Sequence, residues 1–204
     1  MSDLTASFIQ PSPSSTGERT VVPNAILGML IFVVCEIMFF GGLISAYLVG
    51  KAAALDAGGT WPPSDQPRLP IASTAFNTIV LLLSGWFISR TSISQHQPEG
   101  KDTTRKLLVA TIGLGAFFVI FQGYEWTRLI QFGLTMQSST YGGFFYLIVG
   151  THALHVIVAL AALIYAYIQL KNDRLTNGVL GASRIFWYFV VGLWPVLYVT
   201  VYVL

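Results

Sequence analysis

Glu36 stands inside residues 31–49, IFVVCEIMFFGGLISAYLV, an apolar stretch in which a carboxyl finds no water to stabilise its charge. An ionisable group at membrane depth costs on the order of 3 kcal/mol or more, so it is normally enclosed between helices, paired and put to use. Candidate partners lie on a later apolar run. His152 and His155, in Gly-Thr-His-Ala-Leu-His, are three residues apart and share a helix face, so that one can hydrogen-bond Glu36 and the other a backbone or hydroxyl group. Another run repeats Gly115, Phe118, Gln122, Glu125 and Leu129 at spacings of three and four, which aligns Gln122 with Glu125. Arg128, three residues beyond Glu125, is placed for a helix-end ion pair.

Three uses are open to Glu36: a satisfied structural hydrogen bond, a proton-handling group, or a metal ligand. The metal is disfavoured, because helical metal sites gather more carboxylates than this and hold them in paired motifs on facing helices. The sequence leans towards the structural use. Two histidines three apart on one helix cannot ligate both faces of one haem. A Gly-rich phosphate loop and a hydrolytic motif are also missing from the sequence.

The positions of these groups depend on the runs that carry them. Five long apolar runs, at about 23–50, 69–90, 105–132, 139–170 and 179–204, are each near or above the roughly 20 residues that cross a bilayer. The fold class is therefore all-α, a polytopic membrane protein of five transmembrane helices spanning residues 23–204, with residues 1–22 as a polar, Ser/Thr/Pro-rich tail lacking the basic start of a signal peptide. Counting about 1.5 Å per residue puts Glu36 roughly 18 Å from the start of the first helix and His152 at a matching depth on the antiparallel fourth. Pro195 is expected to kink the fifth helix and free a carbonyl one turn back. Small residues, Gly41 with Ser45, Gly42 with Ala46, Gly142-Gly143 and Gly192, read as packing seams.

Composition agrees. Of 204 residues 54% are hydrophobic and 10% charged, with a mean hydropathy of +0.66, whereas a soluble domain carries about 25% charged residues. The net charge of +2 is small and its basic residues cap apolar runs, so nucleic acid is not an expected partner. Cys35 is the single cysteine, which excludes an internal disulfide and suits a small core hydrophobe. Arg19, Arg90, Lys101, Arg105, Lys106, Lys171, Arg174 and Arg184 fall on one side of the membrane, against Lys51, Arg68 and Arg128 on the other, which predicts the N-terminus inside and the C-terminus outside. Trp61, Trp126, Tyr141, Tyr198 and Tyr202 then gather towards the outer interface as an aromatic belt.

Four stretches together resemble a known family. Cys-Glu36-Ile-Met-Phe-Phe-Gly-Gly-Leu is similar to the Ser-Glu-x-Met-Phe-Phe-x-Gly-Leu signature of subunit III of haem-copper cytochrome c oxidases. In the same order follow Trp61-Pro62-Pro63, Gln122-Gly-Tyr-Glu125-Trp, and Phe144-Phe-Tyr-Leu-Ile-Val-Gly150-Thr-His152-Ala-Leu-His155-Val. The resemblance covers nearly the whole chain after the tail and implies the short, five-helix bacterial form. It implies a non-redox subunit of an aerobic respiratory terminal oxidase in the bacterial inner membrane. Such a chain carries no haem or copper itself and lies beside the haem-copper catalytic subunit I that does. It stabilises that subunit, supports proton uptake and holds phospholipids. Glu36 then corresponds to the family's carbodiimide-reactive carboxylate, with Glu36, His152, His155, Gln122 and Glu125 as the expected polar network. The last helix departs from the family pattern: Tyr188 stands where His is usual and Val191 where Asp is usual. Related proteins serve quinol oxidases and nitric oxide reductases, and a stand-alone proton channel or transporter is the rival from another class. The odd number of spans without a visible repeat argues against that rival.

Overall fold

The computed structural model describes residues 23–64, 66–91 and 98–204, without the side chains at positions 98 and 99. The expected polar tail, residues 1–22, and the linker residues 92–97 lie outside the described residues. Five helices follow one another: α1 (Asn24–Asp56), α2 (Ile71–Ser89), α3 (Pro98–Gln131), α4 (Thr140–Lys171) and α5 (Asn177–Leu197), the last continued by a π-helical stretch, Tyr198–Val203. All five are long and apolar enough to cross a membrane, and no strand occurs among the described residues.

The helix ends have local causes. Pro23, with its fixed φ, precedes α1 as the sequence predicts. Ser139 and Thr176 cap α4 and α5, their hydroxyls accepting from the Gly142 and Val179 amides at 3.0 and 3.3 Å. Two helices run past their expected ends. α1 continues through Lys51-Ala-Ala-Ala-Leu-Asp56, where three alanines favour helix outside the apolar span. α3 begins at Pro98 instead of near 105, and Asp102 supports its first turns by pairing with Lys106 at 2.6 Å and Arg105 at 3.5 Å.

Past Pro195 the helical hydrogen bonding changes. Proline has no N–H for the Val191 carbonyl, and three residues later, from Tyr198, the helix widens, the Leu204 amide donating to the Val199 carbonyl five residues back.

Successive helices run up and down. At one end the α1–α2 and α3–α4 loops meet, the Ser138 hydroxyl donating to Gln66 Oε1 at 3.0 Å, and Lys51 donates to the Leu204 backbone oxygen. At the other end Lys101 pairs with Asp173 at 2.7 Å and Arg184 reaches the Thr91 carbonyl at 3.4 Å. α5 is the hub, packed against α1, α2 and α4, while α3 joins α2 to α4. Trp187 and Trp194 of α5 are fully buried, and their indoles donate to Ser84 Oγ at 3.2 Å and Thr78 Oγ1 at 2.8 Å on α2. Polar atoms deep in a bilayer must be satisfied within the protein, and these two bonds pin α5 to α2.

Small residues do allow close packing, but mostly not those expected. A Cβ on Gly115 would lie 2.5 Å from Trp187, and one on Gly85 2.9 Å from Val191. A Cβ on Gly142 would strike the Thr135 carbonyl oxygen at 2.3 Å, so this glycine makes room for the preceding α3–α4 loop and not for another helix. At Gly41, Gly42 and Gly192 a Cβ would meet nothing within 4 Å, and Ser45 and Ala46 are exposed as well. The small-residue face of α1 is thus turned away from this chain's own core. Cys35 shares that outward orientation and is exposed, not a core residue.

Candidate functional site: a carboxyl–imidazole pair between α1 and α4

Glu36 and His155 meet across α1 and α4, His155 Nε2 lying 3.0 Å from Glu36 Oε2. The other ring nitrogen, Nδ1, lies 2.8 Å from the Thr151 carbonyl oxygen, one turn back on the same helix. That second contact determines the proton count. A carbonyl only accepts, so Nδ1 carries a hydrogen. Nε2 then bonds Glu36 in one of two ways: a neutral carboxyl donates to it, or a protonated ring donates to a carboxylate. Both forms hold one proton between Oε2 and Nε2 and carry no net charge, which is why the pair tolerates an apolar setting.

The surroundings are aromatic. Phe40 lies edge-on to His155 at 5.3 Å between ring centres, and Phe186 and Phe189 of α5 flank the imidazole at 6.4 and 6.5 Å. The side chains of Glu36 and His155 keep 18% and 14% of their surface, so the pair is enclosed on the α5 side and open at the rim.

His152, expected to share this work, does not. A single histidine, His155, makes both the carboxyl and the backbone bond. His152 turns towards α3 and α5, is fully buried, and stacks on Trp194 at 5.1 Å between ring centres with planes 26° apart. Three residues along a helix separate two side chains by about 60°, and Phe40, edge-on to both rings, fills the space between.

The α3 strip forms a second polar group nearer the end that carries the α1–α2 loop. Gln122 donates from Nε2 to the Tyr202 hydroxyl at 3.1 Å, and Asn77 donates to Gln122 Oε1 at 3.4 Å and to the Phe118 carbonyl at 3.1 Å. Glu125 is buried beside Tyr202. Its expected ion pair with Arg128 is not formed: Arg128 points outward and is exposed. Glu36 with His155, and Gln122 with Glu125, are therefore two sites and not one network.

Asn77 and Tyr202 are functional candidates that the sequence reading misses. An amide within the apolar run of α2 is open to the same argument that singles out Glu36. Tyr202 is expected in an interfacial belt, but it and Tyr141 are buried, at 6% and 2% of their surface, and face inward. Trp61 caps them, edge-on to Tyr141 at 5.4 Å and donating to the Tyr47 hydroxyl at 3.0 Å.

The two departures in the last helix have structural counterparts. Val191 is buried against Gly85, so an apolar contact occupies that position. Tyr188 lies near the surface with its hydroxyl 3.5 Å from the Arg184 guanidinium. Among the described residues no group of three or more His, Cys, Asp or Glu is arranged to hold a metal ion.

Five membrane-length helices, with indole–hydroxyl bonds between α2 and α5 and a carboxyl–imidazole pair between the middle turns of α1 and α4, define an all-helical multi-pass membrane protein. Its sequence narrows this further. The family described as cytochrome c oxidase subunit III matches residues 13–204, and this chain belongs to that family. It is 35% identical over 184 residues to the probable cytochrome c oxidase subunit 3 of Mycobacterium leprae and 33% identical to that of Nocardia farcinica, each match covering 88% of both chains. It is also 33% identical over 180 residues to the cytochrome c oxidase subunit 3 of Felis catus, a match that covers 86% of this chain and 67% of the feline one.

Proposed function

We propose that this chain is the non-redox third subunit of a bacterial respiratory terminal oxidase, a cytochrome c oxidase, packed beside the haem-copper subunit I in the inner membrane. In this reading haem and copper reside in the partner subunits. This chain stabilises subunit I during turnover, supports proton uptake and contacts phospholipids. The observation that carries the proton part is the Glu36–His155 pair, where one proton lies in a 3.0 Å bond between groups that can each hold it. Moving that proton from the carboxyl to the ring turns a neutral pair into an adjacent ion pair, so the net charge placed in the apolar medium stays zero. The uncovered α1 supports the assembly part: only 6% of its most apolar window is buried inside this chain, so lipid or another subunit covers it in the membrane.

The test is affinity purification in mild detergent, read by a reduced-minus-oxidised spectrum and by mass spectrometry of the partners. Haem bands with a haem-copper subunit are the expected result. A nitric oxide reductase or quinol oxidase partner would reassign the host complex, and a colourless chain purified alone would refute the assignment. Within the complex, Glu36→Gln is expected to lower turnover and carbodiimide sensitivity while haem content stays constant. Unchanged turnover and inactivation would leave the chain a scaffold without a proton role.

A further inference from the structure

The end of the bundle that carries the α4–α5 connection holds an excess of positive charge. Lys101, Arg105 and Lys106 of α3 and Lys171 of α4 gather there against two carboxylates, Asp102 and Asp173. Lys101 is taken by Asp173 at 2.7 Å and Lys106 by Asp102 at 2.6 Å. Arg105 shares Asp102 at a longer 3.5 Å, and Lys171 has no ion pair among the described residues. Arg105, Lys106 and Lys171 rim an open groove of about 630 Å³ between α3 and α4, with Val109, Ala110 and the half-buried Tyr167 as the rest of its wall. The same seam holds a second cavity deeper in the span. Its volume is about 130 Å³, its accessible wall is almost wholly apolar, and Val119, Gly123, Ala153 and Ile157 bring it to the α3–α4 surface. From Val109 to Val119, and from Tyr167 to Ile157, the helices advance by about 15 Å. Half of a hydrocarbon core about 30 Å thick has that length. Between the two cavities Ile112 and Ala116 of α3 and Ile164 of α4 continue the seam at helical spacing, and none of them is buried.

We propose that the α3–α4 seam binds an anionic phospholipid, its phosphate against Arg105 and Lys171 and one acyl chain running along the seam to end in the apolar cavity. This rests on the lipid contact in the function proposed above and gives that contact a place and a headgroup charge. The site is separate from the Glu36–His155 pair, which lies on the α1 side of α4. Charge and length together select the ligand. Basic pockets between transmembrane helices at the membrane surface attract anionic headgroups, and a guanidinium fork matches the oxygens of a phosphate. Tyr167 joins an apolar ring to a hydroxyl at the level where headgroup meets chain. A zwitterionic headgroup brings its own cation to a rim that is already positive. An acidic peptide would meet the cations but leave the apolar seam and its cavity unfilled.

The experiment uses the assembly with which this chain purifies, exchanged into phosphatidylcholine nanodiscs and exposed to phospholipids that carry a photoactivatable diazirine at the acyl terminus. Adducts are located by peptide mass spectrometry. A phosphatidylglycerol probe is expected to mark the α3 and α4 peptides around Gly123 and Ile157, and a phosphatidylcholine probe with the same chains to mark them far less. Arg105→Gln combined with Lys171→Gln lowers the phosphatidylglycerol yield there by about tenfold. Lys51→Gln, at the other end of the bundle, leaves it unchanged. Equal labelling by the two headgroups, labelling spread evenly over the exposed helices, or full yield in the double variant would each overturn the proposal. Haem content is read in the same preparation. Adducts without haem would keep the lipid site and refute the oxidase assignment, and haem without adducts would do the reverse. Should the double variant fail to assemble, the two headgroups compared on the native protein decide.

Discussion

His155 Nδ1 carries a hydrogen because it bonds a carbonyl that can only accept, which leaves Nε2 for Glu36. Removing the imidazole therefore differs from altering the carboxyl. His155→Phe leaves Glu36 facing apolar surroundings without a partner, and a buried acceptor so orphaned costs about 1–3 kcal/mol. Glu36→Gln keeps a group able to donate to Nε2 and is expected to cost less. Thermal melting in detergent checks the order: His155→Phe melts lowest, Glu36→Gln between it and the native protein. The reverse order would mean that the pair contributes through its charge and not through its hydrogen bond.

At the scale of helices, α5 is held where α2 and α3 admit large rings. Trp187 lies where α3 has no side chain, since a Cβ on Gly115 would approach it to 2.5 Å and Leu160 to 2.8 Å. Gly115→Ala is expected to overpack this crossing and destabilise the chain by about 1–3 kcal/mol. Gly41→Ala, on the open face of α1, meets nothing within 4 Å and exchanges a poor helix former for a good one, so it should be neutral or slightly stabilising in the isolated chain. Comparing the two by fluorescence-detected size-exclusion after a heat step separates close packing within the chain from small residues left for outside neighbours. Equal losses would contradict the packing described here.

For the whole molecule, the distribution of basic residues predicts an orientation with the N-terminus and the α2–α3 and α4–α5 connections inside. Ser64 in the α1–α2 loop and Arg174 after α4 are both exposed and lie at opposite ends. In a Cys35→Ala background, Ser64→Cys should react with a membrane-impermeant maleimide in intact cells, and Arg174→Cys only after the cells are opened. Labelling in the opposite sense would invert the proposed orientation and place the Trp61–Tyr141 cap inside.

Much of this architecture is legible in the chain because a bilayer leaves few choices: apolar runs near or above 20 residues become helices, and five such runs joined by short connections alternate in direction. The motif around Glu36 and the Gly-Thr-His-Ala-Leu-His segment likewise announce a carboxyl and an imidazole at matching depths, and the resemblance they carry is the family to which the chain belongs. Depth, however, is one coordinate, and rotation about each helix axis is another. In a membrane the apolar pattern has no polar face to fix that rotation, so the side on which a residue lies is decided by which neighbours pack. Only the tertiary structure gives His155 to Glu36 and turns His152 to Trp194, buries Tyr202 against Gln122, leaves Arg128 outside, and exposes the small residues of α1.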